Sequence, residues 1–217
     1  MEGSLTPEML LVAYANGYFP MAMAKDDPEL YWFSPEERGV LPLEGFNIPR
    51  GLKRATREHD FTLRVDTAFE EVIRACGTLT KERRETWINE EIVQLYTALF
   101  EMGFAHSVET WRGGKLVGGL YGISLGGAFF GESMFSRAPE ASKVALVTLV
   151  EILREAGYQL LDTQYVNDHL KQFGVEGWSK KRYKTKLEKA LNASPNPSSF
   201  FSTVSVRRGL ASSSSAS

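Results

Sequence analysis

Gly131-Glu132-Ser133-Met134-Phe135-Ser136-Arg137 and Leu160-Leu161-Asp162-Thr163-Gln164-Tyr165 decide how this chain is read. Each sets a carboxylate inside an apolar, strand-like run, where an unpaired charge is costly to bury and so has a partner or a task. The surrounding stretch, Ala105 to Leu170, predicts their setting. Ala105 to Arg112 reads as a strand, Gly113-Gly114 as a hairpin turn, Leu116 to Ile123 as a second strand, Gly126-Gly127 as another turn and Ala128 to Ser136 as a third strand. Pro139 and Glu140 then start a helix, apolar at Leu146, Leu149, Val150 and Leu153, which Gly157 ends before a strand from Gln159 to Tyr165.

Three antiparallel strands, a helix and a returning strand follow the order of an N-acetyltransferase-like sheet. The fold class expected is therefore α+β, with a mostly antiparallel mixed sheet. The period of two sends Leu160, Asp162 and Gln164 to one strand face and Leu161, Thr163 and Tyr165 to the other. Asp162 and Gln164 are then either a polar strand end bonded to a loop or a carboxylate and an amide that orient an attacking amine. Glu132, placed by the same period between Phe130 and Met134, is a buried ion-pair member or a receptor for a cation. Met134, Leu146, Leu149, Leu153 and Leu161 are plain core unless the sheet opens beside them.

Toward the N-terminus, Thr6-Pro7-Glu8 caps a short helix that Asn16-Gly17 stops. Tyr31 to Phe33 and Arg38 to Leu43 read as short strands, kept short or at an edge by Pro35 and Pro42. Asn47-Ile48-Pro49 opens a helical turn with Arg50, Lys53, Arg54 and Arg57, a basic patch that is a solvated face or a phosphate contact. After a strand at Phe61 to Val65, Asp66-Thr67 with Glu70 resembles a capping box, and Asn89 caps a further helix. Ser179 caps a last helix with Lys180, Lys181, Arg182, Lys184 and Lys186, a second basic patch, with Tyr183 and Leu187 inward. The division expected is a small N-terminal α/β domain over 1–58, a catalytic domain over 59–191 and a disordered Ser-rich tail over 192–217.

Composition bounds the function. The 217 residues include one cysteine, Cys76, and three histidines, so neither a disulfide framework nor a metal or cofactor site is expected. A net charge of -2 argues against general coating of nucleic acid and leaves room for local basic patches. No apolar run approaches the ~20 residues needed to cross a bilayer, and the start lacks the pattern of a signal peptide, so a cytoplasmic protein without membrane contact is expected.

Two enzyme classes compete for these residues. Gly122-Ile123-Ser124-Leu125-Gly126 matches the nucleophile elbow of serine hydrolases, with Asp162 and His169 following in order. That elbow passes from strand to helix, whereas Gly126-Gly127 turns into another strand. An acetyl-CoA-type N-acyltransferase suits the sheet, but Ser136 to Ala141 lacks the glycines that let a backbone approach a pyrophosphate.

Ala13-Tyr14-Ala15-Asn16-Gly17-Tyr18-Phe19-Pro20, Trp32-Phe33-Ser34-Pro35, Thr86-Trp87-Ile88, Ala105 to Glu109, Gly118 to Gly122, Gly131 to Arg137 and Asp162 through His169 together resemble the leucyl/phenylalanyl-tRNA–protein transferases. The resemblance runs in order from about Leu5 to Leu187. It implies a monomeric aminoacyltransferase that needs no cofactor. Leu, Phe or Met would pass from aminoacyl-tRNA to proteins beginning with Arg or Lys, marking them for degradation. By position it implies Asp162 and Gln164 as the catalytic pair, with Asp162 polarising the amine or taking its proton, and Glu132 as the residue that meets the acceptor's basic end. Phe129, Met134, Leu146, Leu149, Leu153 and Leu161 become the aminoacyl pocket. Trp87 is implied at the tRNA 3′ end, and Arg50, Arg54 and Arg57 at the acceptor stem. Met21 stands where the family has tryptophan, and Leu149 and Leu153 where familiar members have aromatic residues.

Overall fold

The computed structural model describes residues 5–23, 29–52, 60–79 and 85–196, and the backbone of 207–208. Helix α1 (Pro7–Ala15) begins where Thr6 Oγ1 accepts a hydrogen bond from Met9 N and ends before Gly17, whose φ of 82° turns the chain away. β1 (Phe19–Met21) and β2 (Tyr31–Phe33) pair as a separate two-stranded ribbon. The chain continues through β3 (Glu37–Val40), β4 (Thr62–Val65), α2 (Phe69–Cys76) and α3 (Glu90–Glu101). The meander β5 (Ala105–Arg112), β6 (Lys115–Leu125) and β7 (Ala128–Ser136) follows, turning at the two Gly-Gly pairs. Helix α4 (Ala141–Ala156), β8 (Leu160–Gln164), α5 (Asp168–Lys171), β9 (Glu176–Ser179) and α6 (Lys180–Leu191) complete the body.

These strands form one eight-stranded sheet in the order β10-β4-β5-β6-β7-β8-β3-β9, where β10 is Arg207–Arg208, set against Leu63 and Thr62. Among the described residues only β7 and β8 run parallel, because α4 carries the chain back across the sheet; the other pairings of this sheet are antiparallel. The molecule is thus α+β with a mostly antiparallel mixed sheet. On one face α1, α2, α3 and α6 bury Leu10, Tyr14, Ile73, Ile92, Tyr96 and Leu187; the other is covered by α4 through Val144, Val147 and Leu149.

Close approach of α4 to the sheet depends on Gly118. A Cβ built there would stand 2.5 Å from Ala141 Cβ and 2.8 Å from Ala141 C, so the helix start would have to move. Gly118→Ala is expected to lower stability by about 1–3 kcal/mol in urea unfolding, the usual cost of overpacking.

Two local readings change, and one strand goes unread. The strand expected from Arg38 to Leu43 ends at Val40, ahead of Pro42, and lies inside the sheet between β8 and β9 rather than at an edge. β9 itself, Glu176-Gly177-Trp178-Ser179, is too short and mixed to show a period. The capping box at Asp66 does not form. Asp66, at φ 57°, accepts from Ser107 N at 2.7 Å and meets His106 Nδ1 at 2.7 Å. The N–H groups of Thr67 and Ala68 that precede α2 are instead received by Glu109 of β5, at 2.8 and 2.7 Å. A neighbouring strand supplies what the local sequence was expected to supply.

Candidate active site

β7 and β8 lie side by side only from Ala128 and Leu160 to Phe130 and Asp162. Past that point each strand carries one residue more than its outer partner can match. On β7, Gly131 faces Gly122 and Ser133 faces Tyr121, so Glu132 has no opposite residue. On β8, Asp162 faces Val40 and Gln164 faces Gly39, so Thr163 is the extra one. A β-bulge bends its strand and re-aims the side chains that follow. Two bulges at one level part the strands, and a cavity of about 870 Å³ opens beside them.

The bulge also overturns the alternation expected for β7. Phe130 packs on the α1–α3 face, but Met134 packs on the α4 side, because the extra residue reverses the pleat. Glu132 therefore does not share a face with Met134. It reaches toward α1 and α3, accepting from Tyr14 Oη at 2.8 Å and Tyr96 Oη at 3.3 Å; the two hydroxyls are 2.5 Å apart. Gln164 Nε2 donates to the same carboxylate at 2.9 Å. Glu132 is thus held by hydroxyls and an amide. Burial, reinforced by the nearby Asp162 carboxylate and opposed by the Tyr14 bond, pushes Glu132 up to about 8.

Asp162 has the other environment, that of the ion pair. It has no exposed surface and takes Arg38 in a fork, with Nε at 2.9 and 3.0 Å from its two oxygens and Nη2 at 2.7 Å. Tyr183 Oη donates to it at 2.5 Å and the backbone N–H of Gln164 at 2.8 Å. Arg38, 1% exposed, is itself stacked between the rings of Phe19 and Tyr183, at 4.5 and 4.7 Å. Tyr183 is raised, mainly by burial and then by the Asp162 charge, so it remains a donor. This network holds Gln164 at φ 57°, a left-handed backbone that a residue with a Cβ adopts at a cost.

The cavity is lined by Glu132, Gln164, Thr163 and Ser133 on its polar side and by Met134, Leu146, Leu149, Leu161 and Leu170 on its apolar side. Met21, Trp87, Tyr165, Arg137, Ser142 and His169 also line it. Of the pocket residues expected from sequence, Phe129 and Leu153 do not line it; both are fully buried core. Arg50 is exposed at a short helical turn, whereas Arg54 and Arg57 lie outside the described residues. Tyr14, Tyr96, Tyr183 and Arg38 are the members that sequence reasoning missed. An inward tyrosine on an amphipathic helix was the available signal, since a buried hydroxyl needs a partner.

Geometry weighs against the two rival chemistries. Ser124 bonds Tyr158 Oη at 2.6 Å and is not among the cavity-lining residues, so Ser124, Asp162 and His169 form no relay. The loop ahead of α4 reaches its helix through Glu140 at φ 66°, with Ser136 Oγ already accepting from Ser142 N at 3.1 Å.

A family model for leucyl/phenylalanyl-tRNA protein transferase matches residues 40–188, and one for that family's N-terminal domain matches residues 3–36. The leucyl/phenylalanyl-tRNA–protein transferase of Paramagnetospirillum magneticum is 58% identical over 187 residues, which are 86% of this chain and 90% of that protein. Its counterpart from Rhodospirillum rubrum is 53% identical over 188 residues, 87% of this chain and 88% of the relative. The solved structure of L-PGS from Bacillus licheniformis aligns at a TM-score of 0.43 and 15% identity, over 83% of this chain and 61% of that one, a likeness too distant to bear on fold or activity.

Proposed function

The chain belongs to the leucyl/phenylalanyl-tRNA–protein transferase family, and from that premise we propose how its residues divide the work of moving Leu or Phe from aminoacyl-tRNA to the N-terminus of a protein. The observation that carries the division is the single cavity where Glu132, Gln164 and an apolar slot meet.

The donor is an activated ester, so the enzyme has to hold a deprotonated amine against its carbonyl. Gln164 does the holding. Its Nε2 is committed to Glu132, which leaves its Oε1 as the acceptor for an N–H of the attacking amine. Asp162 acts through Gln164. With its oxygens bonded to Arg38, Tyr183 and the Gln164 backbone, it keeps that amide aimed rather than taking the proton itself.

Glu132 is the carboxylate that meets the acceptor. It has no ion pair among the described residues, since Arg38 is committed to Asp162, and a protein beginning with Arg or Lys brings a cation. Burial holds Glu132 up at about 8 in the protein alone, and the acceptor's positive charge favours the ionised form, so it pairs with that charge as the carboxylate. The amine then adds to the ester carbonyl, the new amide bond forms as the bond to the ribose oxygen breaks, and the proton that the nitrogen sheds passes to that oxygen, which leaves as a hydroxyl.

Met134, Leu146, Leu149 and Leu161 form the slot for the donor's side chain, with Trp87 and Met21 on the side of the terminal nucleotide and Arg50, Arg54 and Arg57 on the acceptor stem. The slot admits Leu, Met and Phe and crowds branching at Cβ. The test is transfer of labelled amino acid from its tRNA to a peptide beginning with Arg. Leu, Phe and Met are expected to transfer, with Ile and Val disfavoured by about 10- to 200-fold. Failure with all three donors would overturn the reading.

A further inference from the structure

Helix α6 holds six cations, Lys180, Lys181, Arg182, Lys184, Lys186 and Lys189, against one anion, Glu188, in a chain whose net charge is -2. Two of the six are engaged: Lys180 pairs with Glu36 at 3.1 Å, and Arg182 pairs with Glu176 at 3.3 Å while stacking on Trp178. Lys181, Lys184, Lys186 and Lys189 are all exposed and have no ion pair among the described residues. A solvated helix face ordinarily interleaves its lysines with glutamates three or four residues away; this one does so only at Glu188.

The inward side of the same helix is anchored at the reacting end of the molecule. Tyr183 bonds Asp162 and stacks on Arg38, and the α1 turn at Gly17 packs on Tyr183 so tightly that a Cβ there would stand 3.2 Å from its ring. Tyr183 and Leu187 are 2% exposed. A polyanion seated on the outer side is therefore held in fixed register with Gln164 and the cavity.

We propose that the outer face of α6 is a docking surface for the RNA body of the donor, with Lys181, Lys184, Lys186 and Lys189 contacting phosphates. The assignment rests on the transferase reading above and adds a surface to it. An RNA backbone is a row of charges that lysines spread around the exposed side of one helix meet together, and their contribution is sequence-independent and strongly dependent on salt.

The test uses the full chain and its quadruple variant Lys181→Gln, Lys184→Gln, Lys186→Gln, Lys189→Gln. Affinity for deacylated tRNA is measured by fluorescence anisotropy across salt concentrations, and transfer is measured with Leu-tRNA and with a leucylated CCA trinucleotide. The variant is expected to bind tRNA about 10- to 100-fold more weakly at low salt, with a salt slope shallower by about 2–3. KM for Leu-tRNA should rise in step, kcat should hold, and use of the trinucleotide should not change. An unchanged affinity and slope would overturn the proposal. Equal loss with the trinucleotide would also overturn it, since the effect would then run through Tyr183 and the site. If the wild type bound tRNA in this α6-dependent way and yet transferred from neither donor, the surface would stand and the transferase reading would fall.

Discussion

Asp162→Ala is expected to abolish transfer and to cost the fold about 3–5 kcal/mol, because it strands the Arg38 guanidinium in a site with no exposed surface. The partner of Asp162 lies 124 residues away, so the sequence alone shows no sign of this stability cost. Urea unfolding of the single variant measures the stability cost. Arg38→Met with Asp162→Leu separates it from the chemistry, because replacing both members of a buried pair by apolar residues is often neutral. The double variant should recover most of the stability and remain inactive, having lost the acceptor that holds the Gln164 N–H. Recovery of transfer along with stability would reduce Asp162 to a counter-charge and sink its role in aiming the amide.

Glu132→Gln produces the second large effect. Transfer to an Arg-starting peptide should fall by about 30- to 5,000-fold, the usual range for loss of one partner of a buried, hydrogen-bonded charge pair. A stability change should accompany it, with a definite sign. The carboxyl is raised from 4.5 to about 8 in the folded protein, so between those values the folded state binds more protons than the unfolded one. Stability contributed by the neutral form is therefore present at low pH and lost as pH rises from about 4.5 toward 8. Glutamine carries no such proton, and the variant should lose that part of the slope and gain relative to wild type at pH 8. Denaturation at pH 5, 6.5 and 8 checks this, and parallel slopes in the two proteins would show that Glu132 is ionised throughout.

What could be read from the sequence was local. The meander is written in Gly113-Gly114 and Gly126-Gly127, and α1, α3 and α6 in the caps Thr6, Asn89 and Ser179, whose side chains accept from Met9, Ile92 and Arg182. Each is settled within a few residues. The two carboxylates were legible as suspicious and their partners were not: which one was the ion pair depended on where Arg38 arrived, and β3 crosses to β8 after leaving a different part of the chain. The ion pair, one of the two readings open for Glu132, is made by Asp162 instead. Asp162 owns the guanidinium, and Glu132 has hydroxyls.

The bulges were beyond reach for the same reason. A strand shows no sign of having one residue too many until its neighbour is counted beside it. That missing count also hid the reversal of Met134, since period two was carried straight through Glu132; Phe129 and Leu153, placed in the pocket by the resemblance, lie in the core.

Glu132 and Thr163, as the supernumerary residues of their strands, also bear on how the chain can change over generations. Hairpin tips such as Gly113-Gly114 tolerate insertions and deletions, because a longer turn leaves the paired residues where they were. Loss or gain of one residue near 132 or 163 would re-phase the strand beyond it, sending the pocket wall to the opposite side of the sheet. The reacting end is therefore open to substitution, while its length is closed to variation.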